Sequence, residues 1–170
     1  MRIELSRRAD GTTTLRCVRD HGSATWQNQR APHHAAFFAL HDLTHFAVET
    51  VLGFRRGFYG LVAAGWEIDD TTGKGARGPL PPEALTVEQL VGALDRERAS
   101  ATPWSAEEFN ELLAATAAAG RAAPLSRPLT DDDLRRVREI VQDLSARLAA
   151  LAPGEVLALT FDAGVATPQR

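Results

Sequence analysis

Cysteine is almost missing from this chain. Cys17 stands alone among 170 residues, so no intramolecular disulfide can form, and a reducing, cytoplasmic setting is the expected one. With no helix start and no histidine beside it, Cys17 reads as a small core hydrophobe on a strand. A basic excess is missing too. Nineteen Lys and Arg face 22 Asp and Glu, a net charge of -3, and such a balance lacks the positive surplus on which phosphate-backbone contacts depend. Long apolar runs are also missing: no stretch approaches the roughly 18 residues that span a bilayer, and Met1 to Arg8 contains no apolar signal segment. Neither a nucleic-acid nor a membrane partner is expected.

What remains is an ordinary globular composition, 44% hydrophobic and 24% charged, with no internal repeat and no low-complexity tract. Residues 1–170 are expected to form one domain, long enough to bury about 70% of the surface the unfolded chain exposes. The first thirty residues alternate in period 2 around Asp10-Gly11 and His21-Gly22, which predicts a three-stranded antiparallel meander with Ile3, Leu5, Leu15 and Trp26 facing the core. Helical periodicity follows in Pro32 to Leu52, about Thr86 to Ala99, about Ser105 to Ala119, and about Asp131 to Ala152. Ser105 with Glu108 forms a capping box, Thr130 is an N-cap, and the acidic run Asp131-Asp132-Asp133 suits a first helical turn. Glu155 to Phe161 reads as a final strand that must pair with the meander. The expected class is α+β: a four-stranded antiparallel sheet packed against about four main helices.

Between these elements, Gly53, Gly57, Gly60 and Gly65 punctuate an aromatic segment, where close backbone approach is favoured over side-chain bulk. Glu67 to Pro82 predicts a long loop of the kind that forms lids or binding elements. Its Gly73-Lys74-Gly75 stretch lacks the spacing of a phosphate-binding loop, and no serine sits in a nucleophile elbow.

The informative segment is the helix predicted from Pro32, which fits a first helical turn, to Leu52, with Gly53 closing it. Ala36, Phe37, Leu40, Leu43, Thr44, Ala47, Val48 and Val51 compose its apolar stripe. His34, His41, Asp42, His45 and Glu49 occupy the flank, and four of the five histidines fall between His33 and His45. Residues four apart lie one turn above each other, so His41 and His45 can chelate one ion without bending the backbone. Histidines bordering an apolar stripe also serve as packing residues bonded to carbonyl or carboxylate groups, and Asp42 or Glu49 suits that purpose.

The pentapeptide His41-Asp42-Leu43-Thr44-His45 resembles the H-E-x-x-H signature of zincin metallohydrolases, as an H-D-x-x-H variant. The resemblance covers five residues and implies His41 and His45 as zinc ligands with Asp42 as the base that activates water. The gluzincin branch takes a third ligand, a glutamate, from a following helix a few tens of residues downstream; Glu67 is positioned for this in sequence, and Glu49 competes from the motif helix itself. The His-Asp pair also resembles that of HD phosphohydrolases, but that family draws its first histidine from another helix, whereas His33 and His34 precede His41 on the same one. The expectation is a protein that binds zinc or another divalent ion, with hydrolysis of an unspecified small molecule or peptide as its candidate activity. A metal-free binding or assembly module, in which the histidine-rich helix is structural, is the alternative.

Overall fold

The computed structural model describes residues 1–28, 32–75, 77–162 and 164, with the side chains of 32 and 33 left aside. Strands β1 (Arg2–Arg7), β2 (Thr13–Val18), β3 (Ala24–Asn28) and β4 (Val156–Thr160) form one antiparallel sheet in the order β3-β2-β1-β4. The register sets Ile3 opposite Cys17 and Leu159, and Leu5 opposite Leu15 and Leu157. Period-2 geometry therefore sends all six side chains to one face, and all six are buried. Gly11 closes the first turn at φ 80°, a left-handed conformation that glycine adopts without strain.

Trp26 departs from expectation. It pairs with Arg16 on the outer face and is 63% exposed. The turn after β2 sets Cys17 opposite Thr25, so Thr25 goes inward and its hydroxyl accepts the Ile68 N–H at 3.2 Å. A one-residue change of phase swaps the face of every side chain on a strand.

The helices are α1 (Pro32–Leu52), α2 (Phe58–Ala63), α3 (Pro82–Ser100), α4 (Ala106–Ala118) and α5 (Asp131–Ala149). Helix α3 starts four residues earlier than its apolar periodicity indicates, because Pro82 fits the N-terminal turn where its missing N–H costs nothing. Both α4 and α5 carry complete capping boxes, Ser105 with Glu108 and Thr130 with Asp133. Arg127 adds a two-pronged ion pair to Asp133 at 2.6 and 2.9 Å, and Asp131 reaches across to accept the Ala106 N–H at 2.9 Å. The acidic run is thus used for helix ends.

Helix α1 lies between two packed regions. One side joins Ala39 and Leu43 to the sheet's buried face together with Tyr59, Val62 and Leu144; the other joins Ala47 and Val48 to Val87, Leu90, Phe109 and Val137 of the helical layer. At its beginning the inward arc runs through Ala35 and Ala39, while Ala36 and Phe37, expected in the stripe, are exposed. Its second half is enclosed on both sides, which is how polar residues there come to be buried. The segment after Trp66 is ordered by its own contacts: a 3₁₀ turn over Ile68–Thr72 ends at Gly73, and Arg77 stacks on Trp66 at 5.7 Å while donating to the Gly65 carbonyl at 2.8 Å. Among the described residues no helix is long and apolar enough to cross a membrane.

Candidate metal centre

Helices α1 and α3 pack side by side, and their facing flanks bring His41, His45 and Glu88 together. One donor atom from each lies within 4.8 Å of the other two. The two imidazole rings are 4.8 Å apart and steeply inclined, at 72°. Around one tetrahedral zinc ion, donors about 2.0–2.2 Å from the metal stand roughly 3.3 Å from one another. With every pair of donors within 4.8 Å, displacements of up to about 1.5 Å would bring the set to that spacing.

A carboxylate stands behind each imidazole. The Nδ1 of His41 lies 2.7 Å from Asp95 Oδ2, and Arg98 holds Asp95 in turn. With Asp95 accepting from Nδ1–H, the Nε2 of His41 is left as a lone-pair donor. His45 is 2% exposed, with Nδ1 3.5 Å from Glu49 Oε1 and Nε2 3.5 Å from Glu88 Oε1. At that distance Nδ1 makes an ionic contact rather than a hydrogen bond. It is the one buried side-chain nitrogen or oxygen without a hydrogen-bond partner among the described residues.

Glu49 is fully buried and both of its oxygens are taken by backbone amides. Oε1 accepts the Tyr59 N–H at 3.1 Å and Oε2 the Gly60 N–H at 3.0 Å, so the carboxylate anchors the first turn of α2 while facing His45. Gly57 makes this approach possible, since a Cβ there would sit 2.5 Å from Glu49 Cδ; at Gly60 the space is needed by the backbone, a Cβ there meeting the Arg55 carbonyl oxygen at 2.1 Å. The aromatic, glycine-punctuated segment is thus the wall that holds Glu49.

Glu67 lies elsewhere: it is exposed and 3.2 Å from Arg19, whose guanidinium also bonds the Val62 and Trp66 carbonyls. The structure brings neither Glu67 nor a free oxygen of Glu49 to the two histidines; the carboxylate that joins them is Glu88. Asp42 is buried beside them and lines the same cleft, and its backbone carbonyl accepts the Tyr59 hydroxyl at 3.2 Å. Its charge is also felt inward. Burial first, then Asp42, lifts the Cys17 thiol to about 12 and raises the Tyr59 hydroxyl well above its ordinary value. His34 meets Phe38 edge-on at 6.2 Å, outside the cluster, and the side chain of His33 lies outside the described residues.

The sequence contained one usable signal for Glu88 and Asp95. They are seven residues apart on α3, two turns along one flank, bordering the inward stripe of Val87, Leu90, Val91 and Leu94.

In the metal-free protein, burial lowers the His45 imidazole, but Glu49 and Glu88 outweigh it and lift the group to about 10. Glu88 is correspondingly held low: burial raises it, and His45 overcomes that. Because the folded value of His45 exceeds its ordinary 6.5, its ion pairs stabilise the fold fully below pH 6.5 and lose that contribution as pH rises toward 10. Other titrating groups facing this ring are His41 and, behind it, Asp95. Urea unfolding without metal is expected to show a midpoint that falls between about pH 6 and about pH 9. A His45→Gln variant should show a flatter profile over that range.

No protein-family model, no curated protein and no solved structure matches this chain.

Proposed function

We propose that this protein binds a divalent cation, zinc foremost, through His41, His45 and Glu88, and that its activity is hydrolytic. The observation that carries the reading is the convergence of three donors from two helices, with His41 hydrogen-bonded on Nδ1 by Asp95 and His45 Nδ1 facing Glu49 at 3.5 Å. Metal-ligating histidines characteristically have such a partner, which fixes the ring and raises its basicity. Imidazole and carboxylate donors together suit zinc. When bound, the ion would supply Lewis acidity and acidify a water molecule, the chemistry of hydrolysis. The residues of the chain then have separate tasks: Asp95 and Glu49 orient the rings, and Asp42, lining the same cleft, accepts the proton. That last role follows from the H-D-x-x-H resemblance.

A second reading, a metal-free module, draws on the lifted His45. A buried imidazolium between two carboxylates satisfies its own charge and joins α1, α2 and α3 without an ion.

Elemental analysis of untagged protein after zinc loading separates the two. One zinc per chain is expected, and protein that retains none after loading overturns the metal reading. Hydrolysis is tested on an activated ester, p-nitrophenyl acetate. An Asp42→Asn variant with zinc retained is expected to lose on the order of a hundredfold in rate, and equal rates would remove Asp42 from the proton-transfer role.

A further inference from the structure

The cleft in front of His41 and His45, about 330 Å³, has a lining that selects among ligands. Beside the metal-site residues its walls are Phe38 and Phe58 from α1 and α2, Leu80 from the loop before α3, and Gln27, Thr71 and Thr72. None of the described residues lining it is Lys or Arg, and the acidic groups Asp42 and Glu88 are among them. A phosphate or sulfate ester would bring two charges or one into this cleft and meet carboxylates in place of guanidinium or ammonium groups. Among the described residues lining the cleft, it would find no cationic side chain beside the ion.

The aromatic wall is placed unusually for a residue with no task. Phe38 is 40% exposed although it sits on a helix whose inward arc lies elsewhere, and its ring stands at the rim of the cleft. Phe37, also exposed, meets it edge-on at 5.5 Å and stacks on His41 at 6.0 Å. Phe58 meets the His45 ring at 5.4 Å. Phe37 and Phe58 thus each touch one ring of the histidine pair while Phe38 and Phe58 line the cleft with both histidines, and an apolar group seated against them would lie beside whatever the histidines hold. The hydroxyls of Thr71 and Thr72 already donate to the Ile68 and Asp69 carbonyls, and that of Thr72 also accepts the Lys74 N–H at 3.3 Å, so neither has a proton left to donate to a ligand.

We infer that the cleft takes an uncharged carbonyl compound, an amide or ester with an aromatic or similarly sized apolar group next to the reacting carbonyl, and discriminates against phosphoryl and sulfuryl compounds. This rests on the metal reading above and specifies its substrate class. Up to about ten non-hydrogen atoms fit a space of this size.

The test uses zinc-loaded full-length protein and three probes measured by calorimetry: benzohydroxamate, acetohydroxamate and phenylphosphonate. The two hydroxamates share the zinc-chelating group and differ in the ring, whereas the phosphonate keeps the ring and changes the charge. Benzohydroxamate is expected to bind roughly ten- to a hundredfold more tightly than acetohydroxamate, and more tightly than phenylphosphonate. A Phe38→Ser variant, altered at an exposed position, should keep its zinc and bring the hydroxamate ratio close to one. Equal affinities of the two hydroxamates, an unchanged ratio in Phe38→Ser, or preference for the phosphonate would each overturn the inference while leaving the metal in place. Protein that holds no zinc after loading would overturn both.

Discussion

With His41 and His45 both replaced by alanine, the chain is expected to lose stoichiometric zinc and the thermal stabilisation that zinc confers on the parent. A ligand that binds only the folded state adds about 2.7 kcal/mol at a hundred times its dissociation constant, a shift of several degrees in melting temperature for a domain of this size. The double variant should show none of it. Its fold should survive, less stable by the lost His45 ion pairs, because Glu49 keeps its bonds to the Tyr59 and Gly60 amides and the two hydrophobic regions on either side of α1 contain neither histidine. Asp95→Asn provides the graded comparison. Asp95 touches His41 but no donor position of the cluster, so its loss is expected to weaken zinc binding by about ten- to a hundredfold rather than abolish it. An unchanged zinc content in the double variant would remove these two residues as ligands.

The difference between ligand and supporting residue also explains how much of this molecule was legible beforehand. Local signals were sufficient for the sheet, the caps and the long helices. Period-2 alternation around Asp10-Gly11, the Ser105–Glu108 capping box, the Thr130 cap and the bounds of α1 depend on neighbours within a few residues, and each appears in the structure as expected. The final strand was also legible, since β4 has apolar residues and needs an edge, and β1 offers one. Trp26 was misplaced because its face depends on the cross-strand register after the second turn, a relation among residues from two strands that alternation within one strand does not contain.

The site divides in the same way. His41 and His45 lie on one helix at a spacing that is geometry by itself, and they emerge as neighbours. The third donor depends on which helix packs against α1, and that is settled by the burial of Val87, Leu90 and Val91 against Ala47 and Val48. Glu67 was nearer in sequence yet is drawn to Arg19, a buried cation whose other partners are the carbonyls of Val62 and Trp66. Glu88 was more distant and arrives because α3 carries it there. Tertiary packing overrides sequence proximity whenever the competing residue has its own charge to answer.

Glu49→Ala is expected to have the largest effect on stability of any single change near the site, about 3–5 kcal/mol. Three groups lose their partner at once. The Tyr59 and Gly60 amides, both buried at the start of a six-residue helix, would have no acceptor, and an unsatisfied buried donor costs about 1–3 kcal/mol. The third is the His45 imidazolium, which would retain Glu88 alone on its more exposed side. Glu49→Gln separates these contributions, since its amide oxygen can still accept one N–H while its NH₂ faces the other amide or the imidazolium as a competing donor. It should fall between the parent and the alanine variant. Urea unfolding reads both, and zinc offers a further check: binding requires neutral His45, so adding zinc should restore part of the stability that Glu49→Gln loses through the unpaired imidazolium and none of the part due to the unsatisfied amides. An alanine variant as stable as the parent would show that the α2 turn does not depend on this carboxylate and would remove Glu49 as the support of His45.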